Sequence, residues 1–328
     1  MQLQKLFEAF NGKRVLVIGD VMTDAYYHGQ VHRMSPEAPI PVVDLQTQEH
    51  RIGGAGNVAL NLIALGAEAH LASVIGQDPA GQELQQILQK SGIQTAALVV
   101  STERKTTIKT RVLSNGKQML RIDSEDQHDL SSNETSVLQK HVHLLLDQGI
   151  DGILLEDYNK GVLTTELIHW LIAEANARQI PIVVDPKKKN FLAYTGCTLF
   201  KPNLKELKEG LQIDFNYQKD PSALQNAIEQ LQHQLQCRYT FVTLSQHGVQ
   251  LYDGQVHHHR AAHLRNIADV SGAGDTVIAT TCLCLICGAA PNIIAAIANL
   301  AGGLVCEQPG VVSINKQKLL EEALQLIS

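Results

Sequence analysis

The sequence predicts an α/β protein: a central, mostly parallel sheet with helices on both faces, and a small β-sheet lid added to it. Three observations carry this. Short β-branched runs alternate with helix-length amphipathic stretches along most of the 328 residues, and such alternation requires crossover connections between parallel strands. Two regions, 22–52 and 98–123, break the rhythm with prolines and a hairpin signal. Asp20, Asp157, Asp185 and Ser245 fall at the carboxyl ends of predicted strands, where open α/β sheets bind their ligands.

Taken in order, "RVLVIGD" (14–20) reads as a buried strand and "GNVALNLIALG" (56–66) as a helix stopped at Gly66. "AHLASVIG" (69–76) is strand-like, and "PAGQELQQILQKSG" (79–92) is a helix opening on a proline, where the missing N–H costs nothing. "IDGILLED" (150–157), "IPIVVD" (180–185) and "YTFVTLS" (239–245) are further strands, each followed by a helical pattern or a loop. Asp269 and Val270 end an extended segment, and "TVIATTCLCLICG" (276–288) is a buried helix. In the lid, 26–53 holds short apolar runs between prolines, and 105–123 is a hairpin turning at "SNGK", since Asn-Gly between strands matches the twist of a tight turn. With no repeat, low-complexity tract or flexible linker, residues 1–328 are expected to form one domain carrying the lid.

Hydrophobic residues make up 44% and charged residues 18%, the balance of a soluble globular chain. The net charge of -6 argues against nucleic acid, which needs a basic face. No apolar stretch reaches the roughly 18 residues that span a bilayer, and the start lacks the apolar core of a signal peptide. A cytoplasmic enzyme is expected. Cys282, Cys284 and Cys287 suggest a metal cluster by spacing alone. On a helix, however, residues two apart lie about 200° around the axis, so Cys282 and Cys284 diverge and read as small buried apolar groups. His257–His259 likewise alternate faces on a strand.

The chemistry concentrates in "DVSGAGDT" (269–276). Gly272, Ala273 and Gly274 sit where a helix begins, with free N–H groups and a dipole that favours anions. Asp275 in the first turn is either a cap or a general base aimed at a hydroxyl beside bound phosphate. "GGAGN" (53–57) follows the lid and not the first strand, so it fails as a dinucleotide fingerprint. The first strand ends instead in acids, Asp20 and Asp24. With Asn57 they suit a polyhydroxylated ligand, or, for Asp24 and Asn57, turn chemistry and helix capping.

These residues resemble a ribokinase-type (PfkB-type) sugar kinase over essentially the whole chain. The signatures are "GGAGNVALNLIALGA" and "DVSGAGDTVIA". "GDVMTDAYYHG", "RMSPEAPIPVV", "TTIKTRVLSNGKQMLRID", "EDYNKGVLT", "VVDPKKKNF" and "KPNLKEL" resemble, in order and spacing, the D-glycero-β-D-manno-heptose 7-phosphate kinases. The resemblance implies a ribokinase-like fold and transfer of the ATP γ-phosphoryl group to the C1 hydroxyl of that sugar phosphate, a step towards ADP-heptose for lipopolysaccharide core. It implies Asp275 as catalytic base and Gly272–Gly274 as anion hole. Asn203 and Glu206 would handle metal-bound phosphates, with Mg²⁺ reached from Glu206 through water. Ser245, Gly248 and Asn299 would line the nucleotide site, and Asp269 and Ser271 would lie near a monovalent cation such as K⁺. Asp20, Asp24, Gly53, Gly54, Asn57, Asp185 and Lys187 would hold the sugar. Ser271 stands where threonine is more usual, and Lys187 is followed by two further lysines where one is usual.

A sugar that already carries phosphate needs cations. Lys105, Lys109, Arg111, Lys117 and Arg121 crowd the hairpin, preceded by Arg104. Alternation puts Lys105, Lys109 and Arg111 on one face, as a phosphate clamp or as edge charges that deter aggregation. Apolar lid strands suggest a homodimer formed lid to lid. Relatives often carry a nucleotidylyl-transferring domain, whose H-x-G-H signature is missing here, so a separate nucleotidyltransferase and a phosphatase are expected. The alternatives are a kinase for ribose, fructose or a hexose phosphate, or a silent sugar-sensing protein, against which the intact Asp275 and glycine loop argue.

Overall fold

The computed structural model describes residues 3–327. Its main sheet has nine strands. From one edge they are β5 (Gln94–Ser101), β4 (Glu68–Gly76), β1 (Arg14–Gly19), β8 (Gly152–Glu156), β9 (Ile182–Asp185), β10 (Leu199–Phe200), β11 (Tyr239–Thr243), β12 (Val249–Tyr252) and β13 (His257–Arg260). All pairings from β5 to β11 are parallel, and β12 and β13 close the other edge antiparallel. Residues 98–101, expected in the lid, belong to edge strand β5. They continue the parallel pairing with β4 that runs from Ala72↔Ala97 to Gly76↔Ser101.

The pleat of the sheet divides its apolar residues between two cores. Val15 and Val17 of β1 pack towards α1 (Leu3–Ala9), α2 (Ala55–Ala64), α3 (Pro79–Lys90), α8 (Ala273–Ile286), α9 (Pro291–Val305) and α10 (Lys316–Leu326). Leu16 and Ile18 pack towards α4 (Ser132–Asp147), α5 (Thr165–Ala177), α6 (Leu204–Leu211) and α7 (Pro221–Leu235). Burial on both faces accounts for strands such as "GILLE", which alternate nothing. α3 begins where its proline predicts, with the Asp78 side chain accepting from the Gly81 N–H at 2.7 Å.

The second sheet has four strands in the order β3 (Pro41–Gly54), β2 (Val21–Met34), β6 (Ile108–Ser114), β7 (Lys117–Ser124). β2 leaves the carboxyl end of β1 directly, so the lid is rooted where ligands bind. The β6–β7 turn carries Asn115 and Gly116 at φ 50° and 76°, the left-handed pair of a tight hairpin. The predicted extended segment before the glycine loop is absent; 261–270 is irregular chain. Instead the Ala268 and Asp269 N–H groups reach the Cys306 carbonyl at the end of α9. Cys282 and Cys284 are buried in α8, and no metal-holding group of His, Cys, Asp or Glu occurs among the described residues. None of the helices among them is long and apolar enough to cross a membrane.

Candidate active site

α8 starts at Gly272, which is left-handed at φ 78°; a side chain there would press on Asn57 Nδ2 at 3.0 Å and Val311 Cγ1 at 3.1 Å. Asp275, one turn in, does not cap its own helix. Its Oδ2 accepts from Asn57 Nδ2 at 2.6 Å and its Oδ1 from the Tyr158 hydroxyl at 3.0 Å. The capping alternatives for Asp275 and Asn57 therefore fall away. Asn57 lies inside α2 and spends its amide on the acid.

The environment of Asp275 is not that of an ordinary surface carboxylate. Burial, above all, pushes the carboxyl up to about 6; nearby Asp185 adds to this, while Asn57, Tyr158 and Lys201 oppose it. A base near that value still ionises at neutral pH and accepts a proton more readily.

Asp20 is placed differently from the expected sugar contact. Its Oδ2 takes the N–H groups of Tyr158 and Lys160 at 2.8 and 3.0 Å, and its Oδ1 that of Val162 at 3.1 Å. A carboxylate holding three backbone donors anchors the loop after β8, and most of its acceptor capacity goes to that loop. Sequence position could not reveal this, because the partners lie some 140 residues away.

Beneath α8 lies a buried charge cluster. Lys201 is fully enclosed and pairs with Asp185 Oδ2 at 2.8 Å, and Lys187 stands 3.9 Å from Asp185 Oδ1. Gly274 stands directly over this pair: a Cβ there would lie 3.9 Å from both Asp185 Oδ2 and Lys201 Nζ, an ordinary contact distance. Glu156 is buried with Oε2 unpartnered, and burial followed by Asp185 and Asp275 raises its pKa well above the usual range. Asn203 and Glu206 form a reciprocal capping box on α6, with Glu206 N–H to Asn203 Oδ1 at 2.9 Å and Asn203 N–H to Glu206 Oε2 at 2.8 Å. The other Glu206 oxygen pairs with Lys187 at 2.8 Å.

From Ala273 and Gly274 a groove of about 940 Å³ runs past Asn203, Ser245 and Gly248 to Asn299, a size within the usual range for ligand sites. Gly248, at φ 86°, has no room for a side chain, which would meet the Arg260 carbonyl at 1.9 Å. Asn299 donates to the Ala261 carbonyl at 2.8 Å. The expected cation region is a tight turn: Asp269 accepts from the Ser271 N–H at 2.9 Å and the Gly310 N–H at 3.1 Å.

On the lid, register lines up Arg51, Asp24, Lys109 and Asp123 across β3, β2, β6 and β7, then Glu49, Tyr26, Arg111 and Arg121. Asp24 is thus a strand residue, and Arg111 Nη1 meets its Oδ1 at 2.5 Å. Gly53 sits so close that a side chain would strike Asp24 Oδ2 at 2.5 Å; one on Gly54 would strike the Asp20 carbonyl at 2.3 Å. Lys109 is half-buried without an ion-pair partner among the described residues, 5.9 Å from the centre of the Tyr158 ring. Lys105 does not share this face: it precedes β6 and pairs with Asp126 at 3.8 Å. Arg104 is buried, donating to the Lys160 and His128 carbonyls, and Arg121 pairs with Asp123 at 2.6 Å. Lys117 sits at the hairpin turn.

Four residues escaped the sequence reading. Tyr158 and Lys201 lie inside quoted motifs, "EDYNKG" and "KPNLKE", but nothing local gives them a partner. Asn61 takes the Thr276 hydroxyl and the Ile314 N–H on one oxygen, both at 3.0 Å, joining α2 to α8. Arg51 stacks on Tyr26 opposite Arg111.

The profile of the pfkB family carbohydrate kinase matches residues 13–318. Bifunctional protein HldE of Methylobacillus flagellatus is 42% identical over 94% of this chain, and that of a Caulobacter species 40% over 97%. The chain spans a little under two thirds of their length, 62% and 64%. Among solved structures, Escherichia coli phosphofructokinase-2 in complex with potassium superposes with a TM-score of 0.78 at 18% identity, covering 95% of this chain and 99% of that one. Arabidopsis thaliana ribokinase complexed with ribose and ATP gives 0.71 at 15%, covering 94% and 99%. The fold is therefore ribokinase-like.

Proposed function

The chain belongs to the pfkB family of carbohydrate kinases, and we propose from that premise that it phosphorylates D-glycero-D-manno-heptose 7-phosphate at the C1 hydroxyl, using ATP, to give the 1,7-bisphosphate. The observation that carries the reading is Asp275. It is buried at a glycine-rich helix start, between a groove long enough for a nucleotide and a lid bearing unspent positive charge.

The nucleotide would lie in the groove with its phosphates towards Gly272, Ala273 and Gly274, whose helix end favours anions. Glycines along the groove and the roomy helix start fit such a ligand. Mg²⁺ would ride on the phosphates, with Glu206 reached through water and Lys187 alongside, and when bound it neutralises charge developing on the transferred group. Asp275 accepts the C1 hydroxyl proton as the new O–P bond forms and the bond to ADP breaks. Lys109 and Arg111 would draw the 7-phosphate to the far end of the pocket, spending its binding on orientation of C1. Asp24 holds Arg111 in place, and Asp185 fixes Lys201 below the helix. A monovalent cation such as K⁺ near Asp269 and Ser271, a cytoplasmic setting, and pairing of two lids belong to the same proposal. The later nucleotidyl transfer and dephosphorylation would fall outside residues 13–318.

The test is phosphorus NMR of the product formed from ATP and the heptose 7-phosphate, beside a panel of ribose, fructose and hexose phosphates. A new phosphate at C1 is expected. Phosphate at another carbon, or equal turnover of free ribose or fructose, would reassign the substrate within the family. Asp275→Asn should lose about 10²–10⁴ in rate while nucleotide binding persists, as removal of a general base does.

A further inference from the structure

The loop after β8 presents a phenol to the acid on which the proposed reaction depends. Tyr158 is half-buried, and its hydroxyl donates to Asp275 Oδ1 at 3.0 Å. Its own N–H is held by Asp20 Oδ2 at 2.8 Å, the same carboxylate that holds Lys160 and Val162. Two left-handed residues, Asn159 at φ 55° and Gly161 at φ 92°, turn the loop; a side chain on Gly161 would meet the His128 carbonyl at 1.9 Å. A buried aspartate thus spends three hydrogen bonds on the loop that carries this tyrosine, one of them on the tyrosine itself.

We infer that Tyr158 is a positioning residue for proton transfer: with Asn57, its hydroxyl orients the Asp275 carboxylate and sustains its proton-accepting form. The inference rests on Asp275 being the base. With Asn57 on Oδ2 and Tyr158 on Oδ1, the carboxyl cannot rotate without breaking a bond. Each oxygen keeps a lone pair for the acceptor hydroxyl.

The groups facing Asp275 make this donor matter. Asp185 from the end of β9 opposes its ionisation and Lys201 after β10 favours it, while Glu156 at the end of β8 is itself pushed up by burial, Asp185 and Asp275. Hydrogen bonds to the charged form are what offset burial. Burial, then the charge of Asp275, pushes the Tyr158 phenol well above its usual range, so it stays a donor at every working pH. The ammonium groups of Lys187 and Lys109 lie 5.4 and 5.9 Å from the ring centre; a phenylalanine would preserve those contacts.

Tyr158→Phe removes the hydroxyl alone. The acid limb of kcat/KM against pH should move up by about one pH unit, the cost of one hydrogen bond to a carboxylate. Nucleotide affinity and the melting temperature should stay close to wild type. The direction follows from the sign: without the donor the carboxylate is harder to form, so higher pH is needed to empty it of its proton. An unmoved limb would overturn the inference, since a merely space-filling ring predicts none. If turnover is too low to profile, carbon-13 titration of the Asp275 carboxyl in both proteins decides in the same way: up in the variant supports it, unchanged overturns it. Asp275→Asn with near-full activity would instead remove the base, and this inference with it.

Discussion

The two sheets use opposite rules. In the main sheet both faces are covered, so β8 and β9 are buried at every position and carry apolar residues in sequence. In the lid, β6 is half-buried from Ile108 to Leu113 and β7 is exposed at all eight positions. One lid face carries Asp24, Lys109, Arg111 and Arg51 towards the site. The other carries Leu120 and Ile122, 55% and 52% exposed. The main sheet therefore holds the fold together, and the lid spends little of its surface on stability and most of it on charge and contact. What joins them is short: β1 runs into β2 through Asp20, and α2 follows β3 through Gly53 and Gly54.

That contrast can be broken or sharpened by experiment. The largest effect is expected from Leu154→Ala in the middle of β8, which empties space between two packed layers. It should cost about 2–5 kcal/mol in denaturant unfolding and leave the kinetics of the folded fraction unchanged. Arg111→Glu comes next. It sets two carboxylates against each other on the lid and should lower kcat/KM for the sugar phosphate roughly a hundredfold, within the range for losing one partner of a close charge pair. Its unfolding midpoint should barely move. A large stability loss there would show that the lid contributes to the fold more than its exposure suggests.

The acidity of Asp275 sets a third test. A base raised to about 6 must lose its proton to work, so kcat/KM in the free enzyme should fall about tenfold for each pH unit below that value. A limb near the ordinary aspartate pKa would mean that the pocket is wetter than its geometry implies. The smallest effect is expected of Leu120→Ala. On a face open to solvent it should change the chain's own stability by less than about 0.5 kcal/mol. If two lids pair, light scattering should nevertheless show the variant shifted towards monomer.

Much of this was legible without coordinates, and the boundary between the legible and the illegible has a pattern. Strands β1, β4, β8, β9 and β11 declare themselves because burial on two faces demands continuous apolar runs. The SNGK hairpin and the Pro79 helix start are local chemistry. The last residues of edge strand β5, 98–101, read as lid because the chain runs on from them to the lid hairpin with no helix following. Alternation groups Lys105 with Lys109 and Arg111, and it fails because β6 begins only at Ile108. The acids stand out in the sequence, but their partners do not: the three amide donors on Asp20 and the burial of Asp275 come from distant elements.

Local sequence encodes the alternating α/β layers, the lid, the glycine-rich helix start and the acid within its first turn. Each of these is written in residues within a few positions of one another, through periodicity, turn chemistry and free N–H groups. Tertiary structure alone decided that Asn57 and Tyr158 would hold Asp275, that Asp20 would hold Tyr158, and that Lys201 would lie buried beneath the glycines. Those bonds join residues more than 100 positions apart in most cases, brought together at the carboxyl ends of neighbouring parallel strands. Their energies depend on exclusion of water, which no local pattern encodes.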